Sequence, residues 1–279
     1  MNDWSGDMRL AGKVALITGV SPNIGGGIAE ELWQAGARIV AVDANAGNAN
    51  DCANYINANG GEAIALVCDV TDEAQVRQSV DQAVERFGGI DILVNNAAFF
   101  NQKGVVDMSY KEWQDQTGVI LDGAFLFTKY VSLAMIEAGR QGSIINIIST
   151  AGHQGQPGNV AYSTSKMGLI NFTNSVAMEL AEWNIRVNSL TPTATDPSES
   201  VDRARRWGRK VAEDPRVAEL MTQFASRIPL QKLPKPSDYG KAAVFLASAD
   251  ASMITGTDIR VDAGAVSKYW AWDPASGRS

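Results

Sequence analysis

Short unbroken apolar runs and helical stretches take turns along almost the whole chain, and that alternation leaves few folds open. The runs are KVALIT (13–18), RIVAVD (38–43), AIALVCDV (63–70), IDILVNNAA (90–98), SIINIIS (143–149), IRVNSLTP (185–192) and GTDIRVDAG (256–264). Continuous hydrophobicity of this length suits strands buried on both faces of a parallel sheet. Helical stretches fall between them at 28–35, 48–59, 71–88, about 109–138, 160–182, 196–227 and 236–248. The one at 71–88 carries a Thr71-Asp72 cap, acids in its first turn and Gly88 at its end, the signals that start and stop a helix. The last helix is opened by Pro236. Strand and helix alternate with no linker, which predicts a single doubly wound α/β domain over 1–279 with a parallel sheet. Residues 1–10 form an N-terminal extension and 265–279 a C-terminal tail. Ligands of such sheets bind at the carboxyl ends of the strands, at the topological switch point. Asp43, Asp69, Asn95–Ala98 and Ser149 all fall at strand ends.

Composition closes several alternatives. A net charge of −7 argues against a nucleic-acid or anionic-membrane partner. Cys52 and Cys68 do not form a disulfide framework, so a reducing cytoplasm is expected. The chain shows no uninterrupted apolar run of about 18 residues, so no transmembrane helix is expected. The N-terminus, MNDWSGDMRLAGK, lacks the apolar core of a signal peptide. A single histidine, His153, and two separated cysteines predict no metal site.

Four stretches carry chemistry. Thr18-Gly19-Val-Ser-Pro-Asn23-Ile24-Gly25-Gly-Gly27 joins the first strand to the first helix. A glycine-rich turn in that place lets backbone approach a pyrophosphate and aims a helix N-terminus at it. Asn23 stands where GxGxxG would have its middle glycine, and asparagine tolerates positive φ. Asp43 ends the second strand, where an acid can accept both hydroxyls of an adenosine ribose and repel a 2′-phosphate. No arginine lies in the glycine turn or directly after Asp43, which favours NAD over NADP. Asp69, ending the third strand, can bond an adenine amino group. Finally, Ser149 is followed by Tyr162 and, four residues on, by Lys166. Positions i and i+4 share a helix face. A lysine ammonium beside a phenol favours the phenolate. Bringing a tyrosine from about 10 to working pH needs roughly 4 kcal/mol.

With these residues in view, the chain resembles the short-chain dehydrogenase/reductase family in its compact single-domain branch. TGxxxGxG, Asn95-Asn-Ala-Ala98 and the Ser149–Tyr162–Lys166 spacing match, over about residues 10–264. The resemblance implies a Rossmann-like sheet of about seven parallel strands, a nicotinamide cofactor and a homotetramer. It places NAD against Gly19, Ser21, Asn23, Ile24 and Gly25, then Asp43, Asp69, Val70, Asn96 and Ala97, and on to Tyr162, Lys166, Pro192 and Thr195. Tyr162 is implied as the acid/base. Lys166 would hold the nicotinamide ribose and lower the Tyr162 pKa, and Ser149 would bond the substrate oxygen. The stretch 196–227, with RARRWGRK, falls where the family carries its substrate lid; the other reading is a solvated helix face. Phe99 with Phe100, His153 and Thr193 are the candidates for the substrate pocket.

Two departures bear on mechanism. The family's fourth catalytic residue is an asparagine, and the alignment puts Ile120 there. Isoleucine can neither hold a water nor pass a proton. Either the relay runs through water and ribose alone, or Thr117 or Asp122 substitutes, or activity is low. Thr193 replaces the glycine after Pro192 and adds a side chain near the nicotinamide. The expected activity is an NAD-dependent interconversion of a small-molecule secondary alcohol and ketone. The alternatives are a catalytically weak NAD-binding protein marked by Ile120, and an epimerase or dehydratase on the same fold. The aromatic tail, Tyr269-Trp270-Ala-Trp272, is expected to pack on a neighbouring subunit or to cap the pocket.

Overall fold

In the computed structural model, residues 8–211, 214–269 and 271–273 are described. The first seven residues of the N-terminal extension, residues 212–213, Trp270 and 274–279 lie outside the described residues. All seven apolar runs form strands: β1 Val14–Thr18, β2 Arg38–Asp43, β3 Ala63–Val67, β4 Ile92–Asn95, β5 Gly142–Ile147, β6 Ile185–Pro192 and β7 Asp258–Val261. They pair in parallel in the order β3-β2-β1-β4-β5-β6-β7. β1 therefore lies between β2 and β4, and the chain reverses its direction of travel across the sheet there. The crevice above that reversal is where a doubly wound sheet binds ligands.

The helices are α1 Ile24–Gln34, α2 Ala46–Ala58, α3 Glu73–Phe87, α4 Tyr110–Thr117, α5 Gly123–Glu137, α6 Val160–Leu180, α7 Ser198–Arg206, α8 Pro215–Ser226 and α9 Pro236–Ala247. Local chemistry sets their ends. Asp72 caps α3 by accepting from the Ala74 and Gln75 amides, and Gly88 closes it in the left-handed region at φ 77°. The stretch expected as one helix over 196–227 is two, because Gly208 turns left-handed at φ +81° and Pro215 opens α8 behind its Asp214 cap. The stretch expected over 109–138 is one helical run with a π-helical turn, Gly118–Asp122, between α4 and α5. By length and composition Tyr110–Glu137 could cross a membrane, but half of its apolar window is buried within the protein.

Each central strand feeds two cores. Ala15 and Ile17 of β1 join Ile28 and Leu32 of α1 and Tyr239 and Val244 of α9 on one face. Val14 and Leu16 join Val80 of α3 and Phe127 and Val131 of α5 on the other. A large aliphatic or aromatic side chain so buried contributes about 1.5–3 kcal/mol.

The first helix starts at Ile24, earlier than the expected residue 28, and takes three glycines into its first turns. A helical glycine costs about 1 kcal/mol against alanine. Close approach explains its retention. A Cβ on Gly25 would lie 2.1 Å from the Gly19 carbonyl oxygen, and one on Gly27 would lie 2.5 Å from the Pro236 Cβ of α9. Gly27→Ala should therefore destabilise the fold by about 1–3 kcal/mol in urea unfolding, the range for overpacking a close contact. Gly104→Ala, whose Cβ would meet nothing within 4 Å, should leave the midpoint unchanged.

Candidate active site

The loops leaving β1 and β4 are stitched together at the switch point. The Thr18 hydroxyl oxygen accepts from the Asn96 and Ala97 amides at 3.0 and 3.1 Å. In return, Asn96 Nδ2 donates to the Thr18 and Gly19 carbonyls at 3.0 and 2.8 Å. Above this clamp opens a cleft of about 490 Å³. Gly19, Ser21, Asn23, Ile24 and Gly25 line it, as do Asp43, Asp69, Val70, Asn96, Ala97, Phe99, Tyr162, Lys166 and Pro192. Ala44, Asn48 and Val119 line it too. Sequence reasoning missed these three, because each enters through a loop or helix turn with no motif of its own.

The cleft fits a dinucleotide. Gly25 leaves no room for a side chain between α1 and the Gly19 carbonyl. The N-terminus of α1 has no side-chain cap. The amide oxygen of Asn23 instead accepts from Ser200 Oγ at 3.1 Å. First-turn N–H groups left open at a helix N-terminus make an anion site. Asp43 stands at the far end of the same cleft, at the tip of β2.

Three groups meet at the other end. Ser149 follows β5 in extended conformation, its Oγ accepting from the Ala151 amide at 3.1 Å. Its hydroxyl also hydrogen-bonds Tyr162 in the first turn of α6. Lys166, one turn on, is buried and donates from Nζ to the Ile147 carbonyl at 2.6 Å. Phe100 meets the Tyr162 ring edge-on, with centroids 5.1 Å apart. The expectation that Lys166 lowers the phenol's pKa is not what the protein alone produces. Burial pushes Tyr162 up, opposed by its bond from Ser149. Burial also pushes Lys166 down to about 7. A dry site disfavours both charges, and the lysine points at a carbonyl, 5.6 Å from the phenol's ring centroid.

Ile120 sits behind this pair in the π-helical turn, 1% exposed, in an apolar cluster with Ala124, Ile148 and Leu169 on which Tyr162 and Phe172 pack. Neither suggested substitute reaches the pair. Thr117 Oγ1 donates back to the Trp113 carbonyl at 2.8 Å, and Asp122 is exposed.

Several expected residues are turned elsewhere. His153 does not line the cleft: its Nε2 lies 3.0 Å from Thr191 Oγ1 and 3.3 Å from Asp258 Oδ2, binding the Ser149 turn to β6 and β7. Thr193 and Thr195 also lie off the cleft lining. The Thr193 carbonyl accepts from the buried Tyr239 hydroxyl at 3.3 Å, and Thr195 Oγ1 is 3.2 Å from that hydroxyl. Burial pushes Tyr239 up to about 12. This pins the Pro192–Thr195 turn to α9.

The lid reading of 196–227 changes at α7, as does the reading of a solvated helix face. Arg203 is buried and pairs with Glu30 of α1 at 3.1 Å and Glu199 at 2.6 Å, while donating to the Pro22 carbonyl of the glycine turn at 3.1 Å. Arg206 and the Trp207 indole also donate to Glu30, at 2.8 and 3.2 Å. The helix is thereby moored to the glycine turn. Periodicity alone could not reveal this, since three arginines on one helix read as solvated.

A match to the family model described as Enoyl-(Acyl carrier protein) reductase covers residues 19–266. The chain belongs to the short-chain dehydrogenase/reductase family. It is 36% identical over 258 residues to D-threitol dehydrogenase of Mycolicibacterium smegmatis, covering 92% of this chain and 94% of that one. A crystal structure of NAD+-bound xylitol dehydrogenase superposes with a TM-score of 0.80 at 32% identity, over 90% of this chain and 98% of that one. A gluconate 5-dehydrogenase from Burkholderia cenocepacia, in complex with NADP and tartrate, superposes with a TM-score of 0.82 at 31% identity, over 94% and 98%. As an oxidoreductase of this family, the chain has neighbours that carry either nicotinamide cofactor.

The buried lysine makes a stability prediction. A folded-state pKa near 7 against an ordinary 10.5 means that the folded protein binds fewer protons between those values. The penalty is absent above about 10.5, grows as pH falls to about 7, and stays constant below. Lys166→Met should therefore raise the melting temperature of the ligand-free protein more at pH 7 than at pH 9.5. The gain at pH 7 should be roughly 1–3 kcal/mol, after the loss of the bond to Ile147. Equal shifts at both pH values would show that the lysine carries no such penalty.

Proposed function

We propose that the chain is an NAD-dependent oxidoreductase interconverting a secondary alcohol and a ketone. The observation that carries this is that Tyr162, with Ser149 against it, and Lys166 line one end of a cleft whose other end presents Asp43. Family membership supports the reaction class. Polyol dehydrogenases among the similar proteins support a hydroxyl-bearing small molecule as substrate. Phe99 and Phe100 at the mouth offer it an apolar wall.

When bound, NAD supplies the hydride acceptor and a cationic ring. The glycine turn and the N-terminus of α1 would hold the pyrophosphate, Asp43 would accept the ribose hydroxyls and Asp69 with Val70 would face the base. Lys166 would serve the second ribose. Tyr162 takes the alcohol proton at Oη in the oxidative direction and returns it in reduction, and Ser149 holds the substrate oxygen against it. Because burial keeps Tyr162 protonated in the protein alone, the phenolate is a state of the loaded enzyme. His153 belongs to the support of the Ser149 turn. Ile120 fills the position behind Tyr162 with an apolar side chain and offers no relay for the proton. The same reading includes a homotetramer and a reducing cytoplasm, with which the free, buried Cys52 and Cys68 are consistent.

Tyr162→Phe should lower turnover by at least about 10³-fold, in the range of losing an acid/base catalyst, with NAD affinity retained. NADH absorbance over a panel of polyols and apolar secondary alcohols reads the first, and calorimetry the second. Unchanged turnover would remove Tyr162 from its role, and a wild type inert on the whole panel would favour a binding function. NAD should also exceed NADP by at least about tenfold in kcat/KM, through Asp43.

A further inference from the structure

The turn between β2 and α2 is more highly ordered than a ribose-binding carboxylate alone requires. Asp43 Oδ1 accepts from the Asn45 amide at 2.8 Å, and Oδ2 accepts from Asn48 Nδ2 at 3.2 Å. The amide oxygen of Asn48 accepts from Arg209 Nη1 at 2.9 Å, and Arg209 Nε donates to Asp51 Oδ2 at 2.7 Å. Four side chains thus form one continuous chain, Asp43–Asn48–Arg209–Asp51. Its inner two members in the cleft, Asp43 and Asn48, line the adenosine end.

Arg209 is an outsider here, 158 residues from Asp51 in sequence. It arrives because α7 is moored to Glu30 and the glycine turn, and Gly208 at φ +81° turns the chain back toward α2. Its guanidinium also lies over the Trp207 ring, 5.8 Å from the centroid. The sequence holds no arginine in the glycine turn or next to Asp43, yet the fold delivers one to within a single amide side chain of Asp43.

A planar guanidinium linked through one amide to a ribose-binding carboxylate is the kind of group that reads a phosphate. Here its charge is already matched. Arg209 and Asp51 are 30% and 31% exposed, open enough to exchange partners yet paired at 2.7 Å. We propose that Asp51 is a specificity-determining residue: by holding Arg209 it withholds a cation placed to bind a ribose 2′-phosphate. Asp43 adds direct repulsion of the same group. The proposal rests on the NAD reading above and assigns its selectivity to a pair that spans the α7 segment and α2. An ion pair that merely fastened those two elements together would contribute little and would discriminate between no ligands.

The test is calorimetric binding of adenosine 5′-diphosphate and of adenosine 2′,5′-diphosphate to the full-length protein, with no substrate present. The readout is the ratio of the two affinities, which a partly misfolded sample does not alter. Asp51→Asn, with Asp51→Ser as a second variant, should raise the relative affinity for the 2′-phosphate ligand about fivefold, the scale of a freed half-exposed charge. The gain should vanish in Asp51→Asn/Arg209→Gln and shrink in 0.5 M salt, as screening requires. No gain in either variant, or a gain that survives the loss of Arg209, overturns the proposal. A wild type that already prefers the 2′-phosphate ligand overturns the NAD reading and the proposal with it. A normal wild-type preference with unresponsive variants defeats the Asp51 assignment alone.

Discussion

The clamp between Thr18 and Asn96 is the constraint on which the rest of the site depends. β1 and β4 are neighbours in space but lie on either side of the sheet's reversal, so their loops diverge unless something joins them. One hydroxyl and one side-chain amide make that joint: the Thr18 hydroxyl oxygen accepts twice from the β4 loop, and the Asn96 side chain donates twice to the β1 loop. The joint draws the Gly19 carbonyl so close to α1 that only glycine fits at position 25. The glycine-only turn and the cleft above it follow from that approach.

Much of this was written in the chain. Seven apolar runs are strands because a parallel sheet buries both faces, leaving continuous hydrophobicity as its mark. Gly88 and Asp72 told where α3 ends because capping is a local reaction between a side chain and nearby amides. The residues expected to touch a cofactor line one cleft, Thr195 apart. What was not legible depends on partners distant in sequence. His153 reads as a pocket residue until Asp258 appears beside it on β7. The arginines of α7 read as solvated until Glu30, buried on α1, is seen to pair with Arg203 and to accept from Arg206 and Trp207. An unpaired charge is expensive to bury, so sequence reasoning rightly places charges outside unless it can see the counter-charge.

The site also shows two kinds of buried charge put to opposite uses. Around Glu30 every ion has partners, and the network fixes one orientation of α7 on the glycine turn. Lys166 has a neutral carbonyl instead of a carboxylate, and burial moves its titration into the working range. A paired charge is a fastener; an unbalanced one remains responsive to what enters the cleft.

The π-helical turn at Gly118–Asp122 has a consequence for how this chain can diverge. A π turn accommodates one residue more than an α turn. Removing that residue would let the helix continue as α, but each residue of an α-helix advances about 100° around the axis. Everything on one side of the deletion would rotate relative to the other. Phe127, Val131 and Met135 would swing away from the sheet, or Gln116 would lose its hold on the Phe99 carbonyl. Changes in length here are closed, and descendants of this chain should keep the count of residues between Gln116 and Ala124, with Ile120 held apolar by its cluster and Gly123 held by Val70.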